Sequence, residues 1–538
     1  MANKNTRALS ARKELKENLF DRISEAALAS DRTEKLIETA SEFHLGKAVV
    51  AGTVSFYDFL KEENTKHKVR ICNGTACMTA GSQDKLKQNL LSFFKEDEIG
   101  HASCLGHCHS NYAFMYNGKT YTAKDENELK KILQDDLPSN NIYTVDYNHF
   151  DILTSPVNHE TFFQLAGKYK NQEEKIISEL KKSNLRGRGG AGFPFWFKLD
   201  AVRKEKSNQK YIVCNADEGD PGAYSDMYLL ENQPLKVLYG MYLSGIAAGA
   251  DTGILYIRGE YPSSIKTIAE SIDFLEKNKL TPGFRWKIIE GQGAYICGEE
   301  TALLSSIEGL RPEVRVRPPY PAQSGLYGKP TLVSNVETFA NIPWILENGG
   351  RKYASIGTSK STGTKLVSLN SFFNRPGIYE IEMGTPLDEV IEKYGQGFRK
   401  KIKAIQVGGP LGGIVPVDKI KELTLDFESF DQNGFLLGHA GIVSIPEDFP
   451  MIKFIEHLLK FTADESCGKC YPCRIGSYRG YEMIKKAEEG NYKIDKNLLD
   501  DLLETLEIGS LCALGGGVPL PIKNALTYFE EELTPYFN

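Results

Sequence analysis

Helical and alternating patterns of apolar residues predict two units in the N-terminal part of the chain. Residues 14–60 carry apolar residues at helical spacing, which predicts two or three helices forming a cap on the segment that follows, with Phe56 and Tyr57 in its core. KVRIC then predicts a strand, SQDKLKQNLLSFFK an amphipathic helix, and NYAFMYNGKTYT a hairpin turning at Asn117 and Gly118. With DENELKKILQD as a closing helix, this order predicts a thioredoxin-like unit.

Strands and helices alternate through the rest of the chain. Residues 211–214 predict a buried strand, and residues 293–297 predict a second strand that runs into a helix. Over residues 364–440, TKLVSLNSFF and PGIYEIEMGTPLDEVIEKYG predict two strands followed by a helix. Residues 447–538 predict a helical bundle. The fold class predicted by these patterns is a multidomain α/β protein.

Composition narrows the function classes. A chain of 538 residues is long enough for about three or four domains. The net charge is −6 and the sequence contains no strongly basic block, so nucleic-acid binding has no electrostatic support. No run of about 18 uncharged apolar residues predicts a membrane span, and the basic N-terminus lacks the apolar core of a signal peptide and predicts an amphipathic helix.

Four cysteines near the C-terminus form the clearest chemical motif. They follow a C-x2-C-x2-C…C pattern: Cys467, Cys470, Cys473 and Cys512. Three thiolates at that spacing, closed by a distant fourth, are typical of iron–sulfur ligation. Structural zinc, which usually uses two separated C-x2-C pairs, and disulfides are the alternatives. Because eight of the ten cysteines fall in two such groups, we expect a reducing compartment, the cytoplasm.

Four more cysteines, the first cysteine group in chain order, lie in the predicted thioredoxin-like unit. They combine a C-x4-C and a C-x3-C pair: Cys72, Cys77, Cys104 and Cys108. Two loop ends bearing two cysteines each predict a [2Fe–2S] site, with spacing unlike that of plant-type ferredoxins and with zinc as the alternative. Three histidines flank the site, His101, His107 and His109, and we expect them on the surface because four cysteines already suffice.

A glycine-rich loop matches G-x-G-x-x-G through Gly187, Gly189, Gly190 and Gly192. The preceding IISELKKSNL predicts a polar helix and not a buried strand, so the match is not a dinucleotide fingerprint. Bare backbone amides can still approach a phosphate or a flat ring, with Arg186 and Arg188 supplying positive charge. The aromatic residues that follow either stack on a ligand or belong to the core: Phe193, Phe195, Trp196 and Phe197.

Two acidic segments follow predicted strands, where α/β folds bind ligands. The first runs from Asn215 through Asp217, Glu218 and Asp220 to Gly222, and the second is GAYICGEET. Acids at these positions can bind ribose or ribityl hydroxyls, although Glu299 and Glu300 could equally complement the dipole of a helix. No Ser-His-Asp or HExxH set accompanies them.

Together, LRGRGGAGFP, CNADEGDPG, GAYICGEETAL, GKPTLVSNVET and ESCGKCYPCRIG resemble the NADH-oxidising flavin subunit of respiratory complex I and its soluble relatives. The first cysteine group resembles that complex's separate [2Fe–2S] subunit, here fused upstream. This fusion is most similar to the diaphorase large subunit of NAD-reducing [NiFe] hydrogenases, with NAD-dependent formate dehydrogenases as the alternative. Electron-bifurcating hydrogenase subunits are less similar, because they usually carry a further C-terminal ferredoxin.

The resemblance implies five domains. They are a helical cap (1–60), a thioredoxin-like [2Fe–2S] domain (61–140), a Rossmann-like FMN and NAD(H) domain (141–355), a ubiquitin-like β-grasp insert (356–445) and a helical [4Fe–4S] domain (446–538).

Site roles follow from the resemblance at the matching positions. FMN would be held by Gly187, Arg188, Gly189, Gly190, Gly192, Lys198, Asn215, Asp217 and Gly298, with its phosphate at Ser334, Asn335 and Thr338. The nicotinamide side would be bordered by Phe193, Lys198, Asp220, Tyr295, Glu299 and Glu300, and Tyr320 would stack near adenine. The family usually has Asn at position 334 and Glu at position 220, so two contacts differ here.

The implied activity is electron transfer from NADH to FMN, to the [4Fe–4S] centre and to a partner subunit, or the reverse. The [2Fe–2S] centre would store an electron or provide a second exit. Implied partners are a small iron–sulfur diaphorase subunit and a hydrogenase or formate dehydrogenase module. A docking subunit with relic sites and a free-standing diaphorase are the competing interpretations.

Overall fold

The computed structural model describes residue 13, residues 15–134 and residues 142–538. Residues 1–12, where the predicted N-terminal helix begins, and the domain boundary predicted at residue 140 lie outside this part of the chain. None of the helices in the described ranges combines the length and the hydropathy that crossing a bilayer requires.

In the part of the N-terminal cap that the structure describes, the helices are Leu19–Leu28, Arg32–Glu42 and Lys47–Val54. The predicted packing of the cap on the cysteine-bearing unit is found only at the end of the cap, where Phe59 contacts the core around Cys72 and Cys77. The apolar face of the cap helices covers a different sheet. Phe20 and the fully buried Tyr57 lie in one core with Val213 of the central parallel sheet. The Tyr57 hydroxyl also donates to Oγ of Ser306, at 2.8 Å. Strands of a parallel sheet are apolar on both faces, so the second face needs such a cover.

The thioredoxin-like unit follows the predicted order. Its strands are β1 (Val69–Cys72), β2 (Ile99–Ala102), β3 (Ala113–Tyr116) and β4 (Lys119–Thr122), and its helices are Thr75–Thr79, Ser82–Leu90 and Glu126–Leu133. The sheet order is β2-β1-β3-β4, with β1 parallel to β2 and antiparallel to β3. Asn117 and Gly118 both have positive φ, as a two-residue type I′ hairpin requires.

The strand β5 (Thr144–Tyr147) follows. It joins the sheet built by residues 364–446, called the ubiquitin-like unit, and pairs in parallel with residues 377–380. The central sheet contains β6 (Tyr211–Ala216), β7 (Thr252–Arg258), β8 (Arg285–Gly291) and β9 (Thr331–Asn335). All four run parallel in the order β8-β7-β6-β9, so their carboxyl ends meet at one edge.

Helices surround the central sheet and supply its largest core. They are His159–Tyr169, Glu173–Ser183, Phe195–Lys204, Ser225–Asn232, Pro234–Ala248, Pro262–Lys277, Glu300–Ile307, Pro321–Ser324, Val336–Asn348 and Gly350–Ala354. Alternate residues of β6 face opposite sides: Ile212 and Cys214 contact these helices, whereas Tyr211 and Val213 face the cap.

The ubiquitin-like unit contains β10 (Thr364–Leu369), β11 (Gly377–Glu382), β12 (Ile402–Val407), β13 (Ile414–Pro416) and β14 (Gly441–Pro446). Its sheet order is β13-β12-β14-β10-β11-β5. The predicted helix is present as Leu387–Glu389, continued by a π-helical turn over Val390–Tyr394, and a second helix spans Phe427–Gln432. The strand–strand–helix prediction for this segment is therefore confirmed.

The C-terminal unit is helical, as predicted. Its helices are Met451–Asp464, Ser477–Glu488, Lys496–Gly509, Ala513–Gly517, Pro519–Tyr528 and Glu530–Leu533. They share a core with β12, β13 and β14 of the ubiquitin-like unit, which fixes the bundle against that sheet.

Candidate functional site

The glycine-rich loop connects two helices and follows no strand. It closes through the Gly187 N–H, which donates to the carbonyl of Phe193 at 2.8 Å. Gly190 and Gly192 have φ values of 120° and 59°, which side chains disfavour. A Cβ on Gly189 would lie 3.0 Å from Cβ of Asn335, so the loop reaches the start of the helix Val336–Asn348 without room for a side chain.

That helix, Val336–Asn348, points its positive end at the loop. Asn335 caps it by accepting from the amides of Glu337 and Thr338. Oγ1 of Thr338 accepts from the Arg188 N–H at 2.9 Å, which joins helix and loop. Ser334 lies half-buried at the end of β9 beside them. A helix N-terminus facing bare loop amides is suited to a phosphate.

The side chain of Arg188 does not take the exposed position that a surface phosphate contact would require. Only 1% of Arg188 is exposed, and Nη2 donates to the hydroxyl of Tyr353 and to the carbonyl of Thr362. Its Nε and Nη1 atoms are buried without a hydrogen-bond partner. Arg186 also differs from expectation, because it pairs with Glu428 at 2.5 Å and donates to the carbonyl of Gly192.

The two acidic segments meet beside this loop. Nδ2 of Asn215 donates to the carbonyl of Gly298 at 2.8 Å. Burial raises the pKa of Asp217 well above its usual value, and its Oδ2 has no partner. The prediction that residues 293–297 form a strand is wrong: β8 ends at Gly291, and a 3-10 turn over Tyr295–Gly298 leads into the helix Glu300–Ile307.

The other two acids of the first segment have different surroundings. Glu218 accepts from the amides of Asp226 and Met227, so it holds the start of a helix; burial raises its pKa to about 7. Asp220 accepts from the Tyr295 hydroxyl at 2.6 Å, and burial raises its pKa to about 6 although that hydrogen bond opposes the shift. Asp220 therefore remains available to a ligand, whereas Glu218 supports the fold.

Glu299 and Glu300 also separate into two roles. Glu299 is the N-cap of the helix Glu300–Ile307, where Oε2 accepts from the amides of Thr301 and Ala302 at 2.9 Å. Glu300 instead pairs with Lys198 at 2.7 Å and with Arg317 at 2.9 Å. The predicted site residues Lys198 and Glu300 are thus brought together, and the helix-dipole alternative holds for Glu299.

We expect Glu299→Ala to lower the free energy of unfolding by about 0.5–2 kcal/mol, the usual cost of losing an N-cap. Glu299→Ser keeps a capping oxygen and should restore most of that stability. Thermal unfolding of both variants measures this effect. NADH affinity measured on the Ser variant then isolates any nucleotide contact, and equal stability of the Ala variant and the parent protein would contradict the capping role.

Exposed aromatic side chains border the site. Phe193 is 48% exposed and Phe197 is 54% exposed, with their ring centroids 5.8 Å apart. Tyr320 is also 54% exposed, whereas Phe195 is buried and packs edge-on against Phe339. The alternatives left open by the sequence are both realised: Phe195 belongs to the core, and the exposed rings are available for stacking on a ligand.

The first cysteine group lies between two units. Its four thiols are buried, and Sγ of Cys104 is 3.8 Å from Sγ of Cys108. Contact with the Cys108 thiol is the main cause that lowers the pKa of Cys104 well below its usual value, and the charge of Arg258 adds to it. The Gly222 N–H, from the acidic segment, donates to Sγ of Cys108 at 3.3 Å. The central α/β unit therefore completes the surroundings of this group.

Only one of the three histidines beside this group lies on the surface, where we expected all three. His101 is exposed, but His107 and His109 are 1% and 5% exposed, and the prediction of a surface position is wrong for both. The His109 ring packs against Tyr143 and Tyr224. His107 and His109 fill the space between the cysteine loop and the central unit. The sequence around them gives no signal of this burial.

The second cysteine group forms one apolar cluster with Tyr295 and Phe461. Cys467 and Cys470 lie in a loop, whereas Cys473 lies in a π-helical turn and Cys512 precedes the helix Ala513–Gly517. Burial raises the pKa of Cys473 to about 11 and that of Cys512 to about 12. Such thiols stay protonated until a metal or cluster takes the proton's place.

Comparison with known proteins agrees with this arrangement. Three family models match: a thioredoxin-like [2Fe–2S] ferredoxin over residues 31–136, the Nuo51 FMN-binding domain over 180–344, and the NADH-ubiquinone oxidoreductase-F iron–sulfur binding region over 453–536. The NADH-quinone oxidoreductase F 2 subunit of Rhizobium meliloti is 39% identical over 374 residues, 68% of this chain and 89% of the relative. The chain belongs to the family of NADH-quinone oxidoreductase F subunits.

Relatives of this F-type subunit include hydrogenase subunits. NADP-reducing hydrogenase subunit HndC of Solidesulfovibrio fructosivorans is 43% identical over 369 residues, covering 66% of this chain and 75% of the relative. A crystal structure of an air-oxidized NAD⁺-reducing [NiFe]-hydrogenase superimposes with a TM-score of 0.86 at 27% identity. That match covers 97% of this chain and 93% of the hydrogenase chain.

The residues present fit the cofactors of F-type subunits. Each tetrad offers four thiols, in surroundings typical of iron–sulfur centres. The flavin region offers a glycine loop without room for side chains, a helix N-terminus and the unpartnered Oδ2 of Asp217. The FMN-binding, [2Fe–2S] and [4Fe–4S] domains are therefore all present.

Two residues of the F-type site were missed by sequence reasoning. Gly409 and His439 both belong to the ubiquitin-like unit and lie against Asp220. The glycine-rich GGPLGG segment was a visible signal for the first. The sequence contains no such signal for His439, which is an isolated histidine nearly 220 residues from its partner Asp220.

Proposed function

We propose that this chain is the NAD(H)-linked diaphorase subunit of a cytoplasmic NAD-reducing [NiFe] hydrogenase. It would exchange electrons between NADH and the hydrogenase module through FMN and its two iron–sulfur centres, with a small iron–sulfur subunit as the neighbour. The cytoplasm is supported by the chemistry of the ten cysteines, eight of which lie in two tetrads and none of which forms a disulfide.

One observation carries the proposal: the flavin region contacts both cysteine groups. Gly222 donates to Cys108 of the first group, and Tyr295, which holds Asp220, packs with the second. Glu465 links them further, because it accepts from the Ser103 hydroxyl beside Cys104 and from the Tyr295 amide. A flavin placed between two one-electron carriers is the arrangement that electron relay requires.

When bound, FMN supplies the conversion between two-electron and one-electron transfer. The chain's own residues bind the nucleotide and orient it. Phe193 offers a stacking face, and Asp220 offers carboxylate oxygens to a ribose hydroxyl. The space between the glycine-rich loop and the two acidic segments is called the groove, and the ion pair of Lys198 and Glu300 joins the helix after the loop to the second segment. No side chain is required as an acid or base, so the protein contributes by alignment.

An exposed apolar surface surrounds the second cysteine group and supports a partner there. It consists of Tyr471 (74% exposed), Ile475, Tyr478, Ile508 and Leu511. Cys470 and Cys512 are the half-exposed thiols of their group, and they are the chain neighbours of Tyr471 and Leu511. Aromatic and aliphatic side chains at such exposure mark interaction sites. The likeness over 97% of the chain to an NAD⁺-reducing hydrogenase supports that module as the partner.

The purified full-length chain should be brown and should contain about six iron atoms and one FMN released on heating. It should reduce ferricyanide with NADH, and the same assay with NADPH tests nucleotide preference. Co-purification with a tagged chain identifies the partner, and recovery of formate dehydrogenase subunits would replace the hydrogenase assignment. A colourless, zinc-containing protein without NADH oxidation would contradict the proposal.

A further inference from the structure

His439 of the ubiquitin-like unit is directed at the carboxylate of Asp220. The residue is 8% exposed, and Nε2 lies 3.3 Å from Oδ2 of Asp220. The alignment does not complete a hydrogen bond, so Nε2 has no partner. The other carboxylate oxygen already accepts from the Tyr295 hydroxyl at 2.6 Å. A buried, unpartnered donor therefore faces the free oxygen of an acid that borders the groove.

The protonation state of this histidine follows from its second nitrogen. Nδ1 accepts from the Gly441 N–H at 2.9 Å, so it carries no proton. Burial lowers the pKa of His439 to about 3, which keeps the ring neutral. The single ring proton is consequently on Nε2, the nitrogen next to Asp220. In this tautomer the ring can donate to Oδ2 without bringing a charge into the groove.

The backbone around His439 leaves little freedom for it or for Asp220. A Cβ on Gly409 would lie 2.7 Å from Cγ of Asp220, and one on Gly190 would lie 3.6 Å from Cα of Gly438. A Cβ on Gly441 would lie 2.5 Å from Cε1 of the His439 ring. Two loops of the ubiquitin-like unit thus close one side of the acid, and one of them also contacts the flavin loop.

We propose that His439 is a positioning residue for nucleotide binding: it fixes Asp220 from the side opposite Tyr295, so that the remaining lone pairs of the carboxylate face the ribose. This inference rests on the proposed function, because it assumes that Asp220 contacts NAD(H). Hydrogen bonds that are poorly aligned in a free site commonly tighten when substrate binds. The ubiquitin-like unit is then part of the nucleotide site.

The test uses the FMN-loaded full-length protein and compares His439→Leu with His439→Gln. Leu fills the space but cannot donate, whereas the Gln amide can. We expect the Leu variant to raise the Kd for NAD⁺, measured by calorimetry, and the KM for NADH about 3- to 10-fold, as for one lost hydrogen bond. The kcat and the FMN content should stay within about twofold, because binding and not chemistry changes. Gln should recover most of the affinity.

Two further variants complete the design. His149→Leu removes an exposed histidine that pairs with Glu382 outside the groove and should change neither constant. Gly409→Ala places a methyl group against Asp220 and should raise Kd and KM in the same direction as His439→Leu.

Unchanged Kd and KM in the Leu variant would overturn the inference while leaving the proposed function intact. A joint fall of kcat and FMN content that Gln does not rescue would also overturn it, since it would show a structural role only. A parent protein that binds neither NAD⁺ nor NADH would overturn the proposed function and this inference with it.

Discussion

Replacing Cys470 by Ser should stop electrons from leaving the flavin towards the partner while NADH still bleaches the flavin. Cys470 is one of four thiols in the C-terminal cluster with Tyr295, and a hydroxyl is a poor replacement for a thiolate ligand. Loss of a residue that only hydrogen-bonds to a metal ligand lowers metal affinity or activity roughly 10- to 100-fold. Because Cys470 is itself a predicted ligand, we expect NADH-dependent reduction of the co-purified partner to fall by more than that. Stopped-flow absorbance follows the flavin, and electron paramagnetic resonance follows the centre.

The matched control is Cys214→Ala, which removes a buried thiol from β6 outside both tetrads. It should keep the full iron content and the rate of partner reduction. Partner reduction at the parent rate in the Ser variant would show that electrons leave by another route, through the first cysteine group or from the flavin directly.

Replacing Gly189 by Val should deplete the protein of FMN and leave both iron–sulfur centres in place. Even a single Cβ at this position would lie 3.0 Å from Cβ of Asn335, which caps the helix facing the loop. Overpacking of this kind costs about 1–3 kcal/mol, corresponding to an affinity for FMN that is about 5- to 150-fold weaker. Fluorescence of the flavin released on heating, divided by protein concentration, measures the loss.

Gly187→Ala provides the control in the same loop. Its nearest neighbour would lie 3.6 Å from the added Cβ, and Gly187 has no positive φ, so FMN should be retained. Iron content should equal that of the parent in both variants. Full FMN occupancy in the Val variant would mean that the loop does not carry the flavin.

The sequence predicted the parts of the molecule whose signals are local. The hairpin at Asn117 and Gly118 depends on a two-residue turn, and the helical context of the glycine loop rejected a dinucleotide fingerprint correctly. Both tetrads could be recognised because ligand spacing is itself the signal. Family membership, however, came from the combination of motifs, since each motif separately allowed other interpretations.

What the sequence could not show depends on packing between distant segments. The N-terminal cap packs on the central sheet because β6 and β7 are apolar on both faces, a fact about the sheet and not about the cap. Glu218 and Asp220 are two positions apart with similar side chains, yet one holds a helix start and the other faces the groove. His439 approaches Asp220 only because two loops of another unit fold over it.

Residues of the central α/β unit complete the surroundings of the first cysteine group. Arg258 donates to the carbonyl of Cys104 at 2.8 Å, and Gly222 donates to the sulfur of Cys108. Charge and hydrogen bonds near sulfur help to set the potential of such a centre. A chimera that exchanges only the thioredoxin-like unit between two relatives would therefore transplant the thiolates without their electrostatic neighbours. Its [2Fe–2S] centre would have a potential set jointly by both parents.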